Sequence, residues 1–575
     1  MKRIIFLFIV IALALKCDAS NEYNGLFGWN KRIIPTKIAV CTAPSSDAER
    51  MLVASLSGLA TQAVAAKKFN EMIWEEHSPS GFYSELQNDV VNAIQPQSIR
   101  HTECWQLLSD YKRAGIVKGY ILYSFDKSKG RLYSRRENMN LSANVATIYA
   151  GILKGVLIDE SLERQVQTLG LKRLKDCRTI SMEDCFNEMK AKLNNHSALA
   201  VDPKVPNCRE YAIANRLMVY YDVNALAEKI MEWVEPLSPI IGWNCPDEFT
   251  HTSLVSRWGH FNTASNWCQN MNLLTAASAK MEPKRLKPLN PKLIDYSDTS
   301  SFHTYLMSDG DNMQWTYNSF MTSNDFYASP LNKNFGISWT SCPVNLSIMS
   351  VPSWNRIVDK GILLNTIVEY GGGYQYPDLF ATSRNNRTEL LIRFARRLNE
   401  HFSQLGLTTM GVICQDVHSK AAREAFTIYA HEIKSLCGII AIQYYPYELN
   451  GEIEWFKNGT GIDIPVVTAK YSIWDTVDVR RPSGGTPSYV ASLINRNALN
   501  AANNKQPGEL SFTIIHAWSS FDKRNSEEDV AVKGINAAWA SAQKLNQCVH
   551  TISLEELLWR IRMRHRPQQT KNLLQ

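Results

Sequence analysis

The sequence predicts an α/β protein in which a C-terminal (β/α) barrel-like domain is preceded by one or two smaller α/β domains. At 575 residues the chain is too long for a single ordinary core. From Pro239 onward, short and continuously apolar runs alternate with segments whose apolar residues follow helical spacing. Continuous apolarity is typical of parallel strands that are buried on both faces and covered by helices. An open doubly wound sheet is the alternative architecture.

The N-terminal segment has the pattern of a cleaved secretory signal. Lys2 and Arg3 precede an apolar run from Ile4 to Leu15, and Ala19 supplies a small residue of the kind that signal peptidase reads. The apolar run is shorter than the roughly 20 residues that a membrane span needs. We therefore predict that residues 1–19 are a signal peptide, and that the mature chain is secreted, extracellular or lumenal (lysosomal-type), without stable membrane association. An uncleaved anchor is the alternative.

Residues 20–235 are expected to form the N-terminal α/β region, because strand-like runs alternate there with amphipathic helical segments. No phosphate-binding glycine motif occurs in this region. The predicted strands include Lys37–Cys41, Val117–Tyr123 and Ala198–Val201. The predicted helices include Met51–Ala66, Phe82–Ile94 and Ser181–Leu193.

Residues 236–562 are expected to form the barrel-like domain, which we predict to be catalytic. Eight or nine strand–helix units over this length fit such a barrel, whose active site lies at the carboxyl ends of the strands. The predicted strands are Ile240–Trp243, Tyr305–Met307, Phe335–Trp339, Ile362–Val368, Met410–Cys414, Ile439–Ile442, Pro465–Ala469, Phe512–Ile515 and Cys548–Ile552. The readable helices are Arg387–Leu405, Lys420–Leu436, Ser488–Asn503 and Ser526–Leu545. Residues 563–575, which contain Pro567, are predicted to be a basic solvated tail.

Charge and cysteine usage narrow the class of protein. A net charge of +7 is weak for a nucleic-acid binder of this size, so no nucleic-acid partner is expected. In an oxidising compartment we expect some disulfides, with Cys177–Cys185 as a local bridge, whereas Cys414 and Cys437 lie in apolar runs and resemble buried thiols. No Cys/His spacing indicates zinc, and we expect no metal and no cofactor. Five sequons permit glycosylation: Asn140, Asn195, Asn345, Asn386 and Asn458.

A glycine-rich motif comes after the apolar run that ends at Val368 and the carboxylate Glu369. It reads Gly371-Gly372-Gly373-Tyr374-Gln375-Tyr376-Pro377. Three glycines allow the backbone to leave a buried strand through conformations closed to other residues, while the tyrosines and proline stiffen the second half of the loop. The motif resembles the signature of the GxGYxYP putative glycoside hydrolase family. All five specified positions match: Gly371, Gly373, Tyr374, Tyr376 and Pro377. The resemblance implies a carbohydrate substrate and assigns no catalytic residue.

Carboxylates close several of the predicted strands. Glycosidic cleavage needs two acids at one mouth, one to protonate the leaving oxygen and one as nucleophile or base. The predicted catalytic residues are Asp309, Asp311, Glu369 and Asp416. The alternatives are a capped turn or a divalent-ion loop for Asp309 and Asp311, and a helix cap for Asp416. Glu369 has the least evident structural role, although a salt bridge is an alternative.

Aromatic side chains lie close to these acids in the sequence. Their rings suit the apolar faces of sugars, so we predict that they bind substrate. The predicted substrate-binding residues are Tyr374, Tyr376, Trp339, Trp518 and Trp243.

These observations predict a secreted glycoside hydrolase that acts on a carbohydrate of unidentified structure. One alternative is a metal-dependent carbohydrate deacetylase or esterase, with Asp309 and Asp311 joined by His418 or His516. The other is a carbohydrate-binding protein without turnover. The sequence contains no GxSxG motif that would indicate a serine hydrolase.

Overall fold

The computed structural model describes residues 34–76, 81–125, 139–317, 319–361, 365–445, 447–475 and 483–575. The predicted signal peptide lies outside these ranges. The chain divides into two compact units whose boundary falls between Met281 and Glu282, except that residues 81–86 belong with the second. Within the described ranges, no helix combines the length and apolarity that a membrane crossing requires.

The first unit contains three small sheets, in which every strand pair is parallel. Their strand orders are β2-β1-β3, β5-β4-β6 and β10-β9-β7-β8. The strands are β1 (Lys37–Cys41), β2 (Glu71–Glu75), β3 (Ser98–Thr102), β4 (Gly119–Tyr123), β5 (Gly155–Asp159), β6 (Arg173–Asp176), β7 (Asn194–Ala200), β8 (Leu217–Tyr220), β9 (Pro239–Gly242) and β10 (Phe261–Thr263). The prediction of small α/β structure in this region is therefore confirmed, and its three sheets lie within one compact unit.

Helices connect these strands, and the predicted ones are present with shifts of a few residues at their ends. They are α1 (Asp47–Ala65), α2 (Gly81–Ile94), α3 (Cys104–Arg113), α4 (Ser142–Leu153), α5 (Glu163–Thr168), α6 (Met182–Met189), α7 (Arg209–Asn215), α8 (Ala225–Trp233), α9 (Glu248–Arg257) and α10 (Met271–Ser278).

The second unit is built on one large curled sheet, a half-barrel of 11 strands in the order β16-β17-β15-β14-β13-β12-β11-β20-β18-β19, with β23 paired to β11. All pairs are parallel except β16 with β17. The strands are β11 (Ser301–Met307), β12 (Ile337–Ser341), β13 (Ile367–Tyr370), β14 (Thr409–Cys414), β15 (Gly438–Gln443), β16 (Ile453–Lys457), β17 (Asp463–Thr468), β18 (Tyr471–Ile473), β19 (Gly484–Gly485), β20 (Leu510–Ile515) and β23 (Val549–Thr551). A short antiparallel pair, β21 (Ser520–Phe521) and β22 (Val532–Lys533), lies outside this sheet.

The helices of the second unit follow the predicted alternation. Arg387–Leu405 has the predicted bounds, because its apolar stripe runs unbroken to the left-handed Gly406 that ends it. The helices are α11 (Met313–Thr316), α12 (Ser319–Thr322), α13 (Pro343–Met349), α14 (Val351–Asp359), α15 (Arg387–Leu405), α16 (Lys420–Glu432), α17 (Pro487–Asn503), α18 (Ile535–Ala542), α19 (Leu554–His565) and α20 (Pro567–Leu574).

The central strands are buried along their length, as their continuous apolarity predicts. Every residue of β11, β12 and β14 is buried. Two strands near opposite ends of the hydrogen-bonded order, β17 and β18, are consecutive in the chain, because only two residues separate the end of β17 from the start of β18. Their links differ, because β17 pairs with β15 whereas β18 pairs with β20.

Several elements differ from the sequence predictions. The predicted helix Ser526–Leu545 begins only at Ile535 and ends at Ala542, and β22 occupies Val532–Lys533 within its predicted range. The predicted strand Ile362–Val368 corresponds to β13 (Ile367–Tyr370), and its residues 362–364 lie outside the described ranges.

The run Ile240–Trp243, expected to open the large sheet, contributes β9, which pairs with β7 and β10 in the first unit. The predicted solvated tail is helical, because Pro567 starts α20, where its missing N–H is harmless. The guanidinium of Arg566 in this segment lies 2.8 Å from a carboxylate oxygen of Asp463.

The cysteines also differ from expectation. The predicted Cys177–Cys185 disulfide is not formed, because both residues are free, buried thiols. Every other cysteine that lies in a described strand or helix is also free and buried. Burial raises the pKa of the Cys177 and Cys185 thiols, which leaves little of the thiolate that disulfide exchange requires. Cys414 and Cys437 are buried and free, as predicted. Of the sequons, Asn345 is only 1% exposed, so its side chain is inaccessible for glycosylation.

Candidate active site at the carboxyl edge of the large sheet

Asp309 follows the central strand β11 in a tight turn. Its φ of 64° is left-handed, and the next residue, Gly310, donates its N–H to Thr340 Oγ1 at 3.0 Å. A Cβ on Gly310 would lie 1.7 Å from the Thr340 carbonyl oxygen, so only glycine permits this approach. The turn leaves Asp309 half-buried, with Oδ2 accepting a hydrogen bond from the Ser308 hydroxyl.

His516 follows β20, the strand beside β11, where Met307 pairs with Ile515. Its backbone N–H donates to the Ile473 carbonyl at 3.0 Å, which fixes it against the end of β18. Its imidazole stacks on the Trp474 indole, with ring centroids 4.1 Å apart. Burial lowers the pKa of His516, while the carboxylates of Asp309 and Asp475 oppose that shift. The two carboxylates therefore both act on this ring.

A serine hydroxyl connects His516 to Asp475. The Nδ1 atom of His516 lies 2.9 Å from Ser519 Oγ, and that hydroxyl donates to Asp475 Oδ1 at 3.0 Å. A hydroxyl donates only one proton, so Ser519 accepts from the Nδ1–H of His516. The other carboxylate oxygen of Asp475 accepts from the Ser520 N–H at 3.0 Å. Because Nδ1 is bonded to Ser519, the other ring nitrogen of His516, Nε2, is directed away from Ser519 and Asp475. Nε2 has no hydrogen-bond partner among the described residues.

Two tryptophans form a partly exposed aromatic surface close in sequence to Asp309 and His516. Trp518 is 39% exposed, and its ring lies 4.7 Å from that of the half-buried Trp315. The ring of Phe326 packs against Trp518, with the two ring centroids 5.4 Å apart. Aromatic faces of this kind suit the apolar face of a sugar ring. The predicted binding role of Trp518 is therefore compatible with its position.

A continuous series of ring contacts joins the glycine-rich motif to His516. Its rings follow β13, β15, β18 and β20, so the series runs along the carboxyl edge of the sheet. The contacts, as centroid distances, are Tyr374–Tyr376 at 5.9 Å, Tyr376–Tyr444 at 5.6 Å, Tyr444–Tyr447 at 5.9 Å, Tyr447–Trp474 at 4.5 Å and Trp474–His516 at 4.1 Å. Tyr374 and Tyr376 are themselves buried, so they pack within this series rather than forming an open surface.

Glu369 has a structural role that the sequence did not reveal. It is fully buried, and its two carboxylate oxygens accept hydrogen bonds from the backbone N–H groups of Val344 at 2.8 Å and Gly372 at 2.9 Å. One bond holds the start of α13 and the other holds the glycine turn. Burial raises its pKa to about 7, while these N–H groups and Arg397 oppose the shift. The expectation that Glu369 lacks a structural role is thus wrong.

Asp378, the residue after the motif, holds the other side of the same loop. It is 5% exposed, and its carboxylate accepts the backbone N–H groups of Gln415 at 3.1 Å and Asp416 at 2.8 Å. Asp416 is exposed and accepts the His418 N–H at 2.9 Å, while Ser419 caps α16. Asp416 therefore closes a local turn with His418, and the helix cap that its sequence left open is supplied by Ser419 instead.

The other predicted site residues have surroundings of their own. Asp311 is 8% exposed, and with Glu369 it acts electrostatically on the buried thiol of Cys342. Trp339 is 2% exposed, with its indole N–H bonded to Asn332, so it is a core residue. Trp243 is 8% exposed and lies in the first unit, after β9. His418 lies 2.6 Å from Glu452.

Comparison with known protein families shows three matches along the chain. Residues 301–526 match the GxGYxYP putative glycoside hydrolase C-terminal domain. Residues 196–276 match the GxGYxYP third domain, and residues 117–212 match the GxGYxYP_N second domain. The chain belongs to the GxGYxYP family. No curated protein matches it.

A solved structure shares the fold of this GxGYxYP protein. It is the crystal structure of a putative hydrolase from Bacteroides thetaiotaomicron VPI-5482, with 19% sequence identity and a TM-score of 0.74. The alignment covers 93% of this chain and 96% of the other. At this identity the likeness concerns the fold alone.

The GxGYxYP signature thus has a defined place in this structure. Glu369 anchors its glycines, Asp378 anchors its proline end, and Tyr374 and Tyr376 begin the aromatic series. Within the part of the chain that the structure describes, no three His, Cys, Asp or Glu side chains are arranged to hold a metal ion.

Sequence reasoning missed several residues of the candidate site in this GxGYxYP protein. Trp474 and Asp475 follow β18, whose three residues are too few to stand out as a strand. Trp315 lies in a single helical turn, and Ser519 gave no motif signal. The acid after the signature, Asp378, could have been noticed as a carboxylate following a conformationally restricted loop.

Proposed function

We propose that this protein is a glycoside hydrolase that cleaves an unidentified carbohydrate with Asp309 and His516. The observation that carries the proposal is that a half-buried carboxylate and an imidazole with an unoccupied Nε2 follow adjacent strands of the sheet. Membership of a family described as glycoside hydrolases supports the reaction class. Glycosidic hydrolysis needs one group to protonate the leaving oxygen and another to act at the anomeric carbon.

The hydrogen bonds favour one assignment of these roles. The Ser308 hydroxyl donates to Asp309, which holds this carboxylate in place for a role as nucleophile or base. Protonated His516 donates its Nδ1–H to Ser519, which leaves the Nε2–H to protonate the glycosidic oxygen. The bond between the anomeric carbon and that oxygen breaks in one of two ways. Asp309 removes a proton from a water molecule whose oxygen attacks the carbon, or Asp309 itself attacks the carbon and water then hydrolyses the resulting glycosyl ester, giving a proton to Nε2 of His516. The pair differs from the two carboxylates expected from the sequence.

Asp475 and Ser519 are positioning residues in this assignment. Their hydrogen bonds hold the imidazole by Nδ1, and the Trp474 ring restricts its rotation. Trp315 and Trp518 are the surface against which the sugar would stack.

We further propose that the curled sheet closes as a (β/α) barrel through a bent strand formed by β17 and β18. The two linking residues support this proposal, because Lys470 donates its N–H to Phe512 of β20 at 3.1 Å, while Ala469 accepts from Leu449 at 2.7 Å. A crystal structure in which the β17–β18 link is detached from β20 would contradict closure.

The experiment that tests the function is hydrolysis of a panel of 4-nitrophenyl glycosides of both anomers. With whichever glycoside is turned over, Asp309→Asn is expected to lower kcat by about 100-fold or more without unfolding the protein. The control is Asp359→Asn, which removes an exposed carboxylate paired with Lys284. If no glycoside is cleaved but glycans bind saturably, the protein is a carbohydrate-binding protein without turnover.

A further inference from the structure

A cavity lies in the second unit, at the edge of the sheet opposite Asp309. Its walls include Thr408, Cys437 and Ile462, the residues that immediately precede β14, β15 and β17. These strands are parallel to one another and to β11, so the cavity is at their amino ends. The volume of about 620 Å³ falls within the range of small-molecule sites, roughly 300–1,000 Å³.

Arg562 is the unusual residue in this wall. It is 3% exposed, and it makes no ion pair with any described carboxylate. Of its five N–H donors, one reaches the Cys437 carbonyl oxygen, at 3.4 Å. Burial lowers its pKa, the signature of a cation held in apolar surroundings. A buried charge of this kind is costly unless an anion pairs with it.

The acids near Arg562 do not supply that anion. Asp463, whose charge raises the pKa of Arg562, pairs with Lys457 at 2.6 Å and with Arg566 at 2.8 Å. Glu432 pairs instead with Arg396 at 2.9 Å and with His431 at 3.1 Å. Glu555 accepts the Leu289 N–H at 3.0 Å, and burial raises its pKa, which favours its neutral form. The cavity therefore presents an unmatched positive charge.

The accessible area of the lining is mostly apolar, although polar side chains, among them Lys434 and His431, also contribute to the wall. The guanidinium of Arg562 lies over the Trp559 ring, 4.7 Å from its centroid, which leaves an aromatic face beside the charge. The apolar residues of the wall are Pro288, Leu289, Leu436, Ile462, Ile464 and Leu573.

We propose that this cavity binds a small carboxylate with an apolar body, such as a medium-chain fatty acid. The carboxylate pairs with Arg562, where a guanidinium and a carboxylate make charge-assisted hydrogen bonds. The apolar body lies against Trp559 and the aliphatic wall. The site is separate from the carboxyl edge of the sheet and does not depend on the function proposed for Asp309.

Isothermal titration of the full chain with octanoate tests the proposal. We expect saturable binding of one octanoate per chain, and weakening by about tenfold or more in Arg562→Met, which keeps an unbranched apolar side chain but removes the charge. Octan-1-ol, which has the same chain without the carboxylate, should also bind at least about tenfold more weakly. The matched control is Arg524→Met, which removes an arginine whose side chain is 89% exposed and should leave octanoate binding unchanged.

Circular dichroism and thermal unfolding establish that Arg562→Met is folded. Should that variant fail to fold, Trp559→Leu serves in its place, and its loss of the aromatic face should weaken octanoate binding at least threefold. Absence of saturable binding would overturn the proposal. So would equal affinity for octanoate and octan-1-ol, or unchanged octanoate binding in the folded Arg562→Met protein. Asp309→Asn should bind octanoate like the wild type whether or not glycosidase activity is found.

Discussion

The imidazole of His516 lies flat against the indole of Trp474, with ring planes 5° apart and centroids 4.1 Å apart. Trp474 follows β18 and His516 follows the neighbouring β20, so the stack joins two strand ends. It also covers one face of an imidazole whose pKa is lowered chiefly by burial. The contact therefore links the packing of the sheet to the protonation of the group that we propose as the acid.

Trp474→Ala should raise the pKa of His516, because it exposes the imidazole to water while the carboxylates of Asp309 and Asp475 remain. The measurement is an NMR titration of protein carrying ¹³C-labelled histidine, with the resonance assigned by its loss in His516→Gln. A pKa that stays the same or falls would mean that Trp474 contributes nothing to the desolvation of the ring.

The pH dependence of glycosidase activity should report the ionisation of His516. Since burial lowers the pKa of His516 below its ordinary value of 6.5, the acid form is lost as pH rises through values below 6.5. We expect kcat/KM to fall with rising pH in that range, and His516→Gln to remove this limb. A limb that persists in His516→Gln would assign the proton to another residue.

Ser519→Ala should lower kcat by about tenfold with little change in KM, because it removes the hydroxyl between His516 and Asp475 while leaving the sugar-binding surface intact. Ser520→Ala is the matched control, since Ser520 contacts Asp475 through its backbone N–H rather than its side chain. Equal effects of the two substitutions would show that the hydrogen bonds from Ser519 to His516 and Asp475 do not contribute to turnover.

Glu369 should affect stability more than turnover. Its pKa is about 7 in the folded protein against an ordinary value of 4.5, so its contribution to stability is fully present below pH 4.5 and is lost as pH rises through about 7. The shift corresponds to about 3 kcal/mol. We expect Glu369→Gln to unfold more easily than the wild type at pH 5, because an amide cannot accept both backbone N–H groups.

The measurement for Glu369 is denaturant unfolding from pH 4.5 to pH 8, with the exposed Glu389→Gln on α15 as control. The destabilisation caused by Glu369→Gln should shrink as pH rises. Per folded molecule, glycosidase activity should stay within a few-fold of wild type. A 100-fold loss of turnover with unchanged unfolding would instead support the catalytic role predicted from the sequence.

The predicted signal peptide is tested by mass spectrometry of protein secreted from an expression host. The small residue Ala19 ends the short apolar segment, so the mature chain should begin near Ser20. Secreted protein that retains residues 1–19 would contradict this prediction.

The sequence by itself determined the elements that depend on local pattern. Continuous apolarity predicted β14 and β15 as buried strands, because a strand buried on both faces has no polar alternation. Helical spacing predicted the bounds of Arg387–Leu405, because a helix buried along one stripe repeats its apolar residues at that spacing. The GxGYxYP signature indicated the family. Asp309 was predicted as a site residue because it is a carboxylate that closely follows an apolar run.

Only the tertiary structure decided what depends on neighbours from distant parts of the chain. The backbone N–H of Val344, 25 residues earlier, donates to one oxygen of Glu369, a structural role that the position of Glu369 in the sequence did not reveal. Trp474 and Asp475 gave no signal, since their roles arise from Ser519 and His516 on another strand. Local periodicity indicates whether a residue is buried. The hydrogen-bond partner of a buried residue depends on which strands become neighbours in the sheet, and the order of residues along the chain does not specify that.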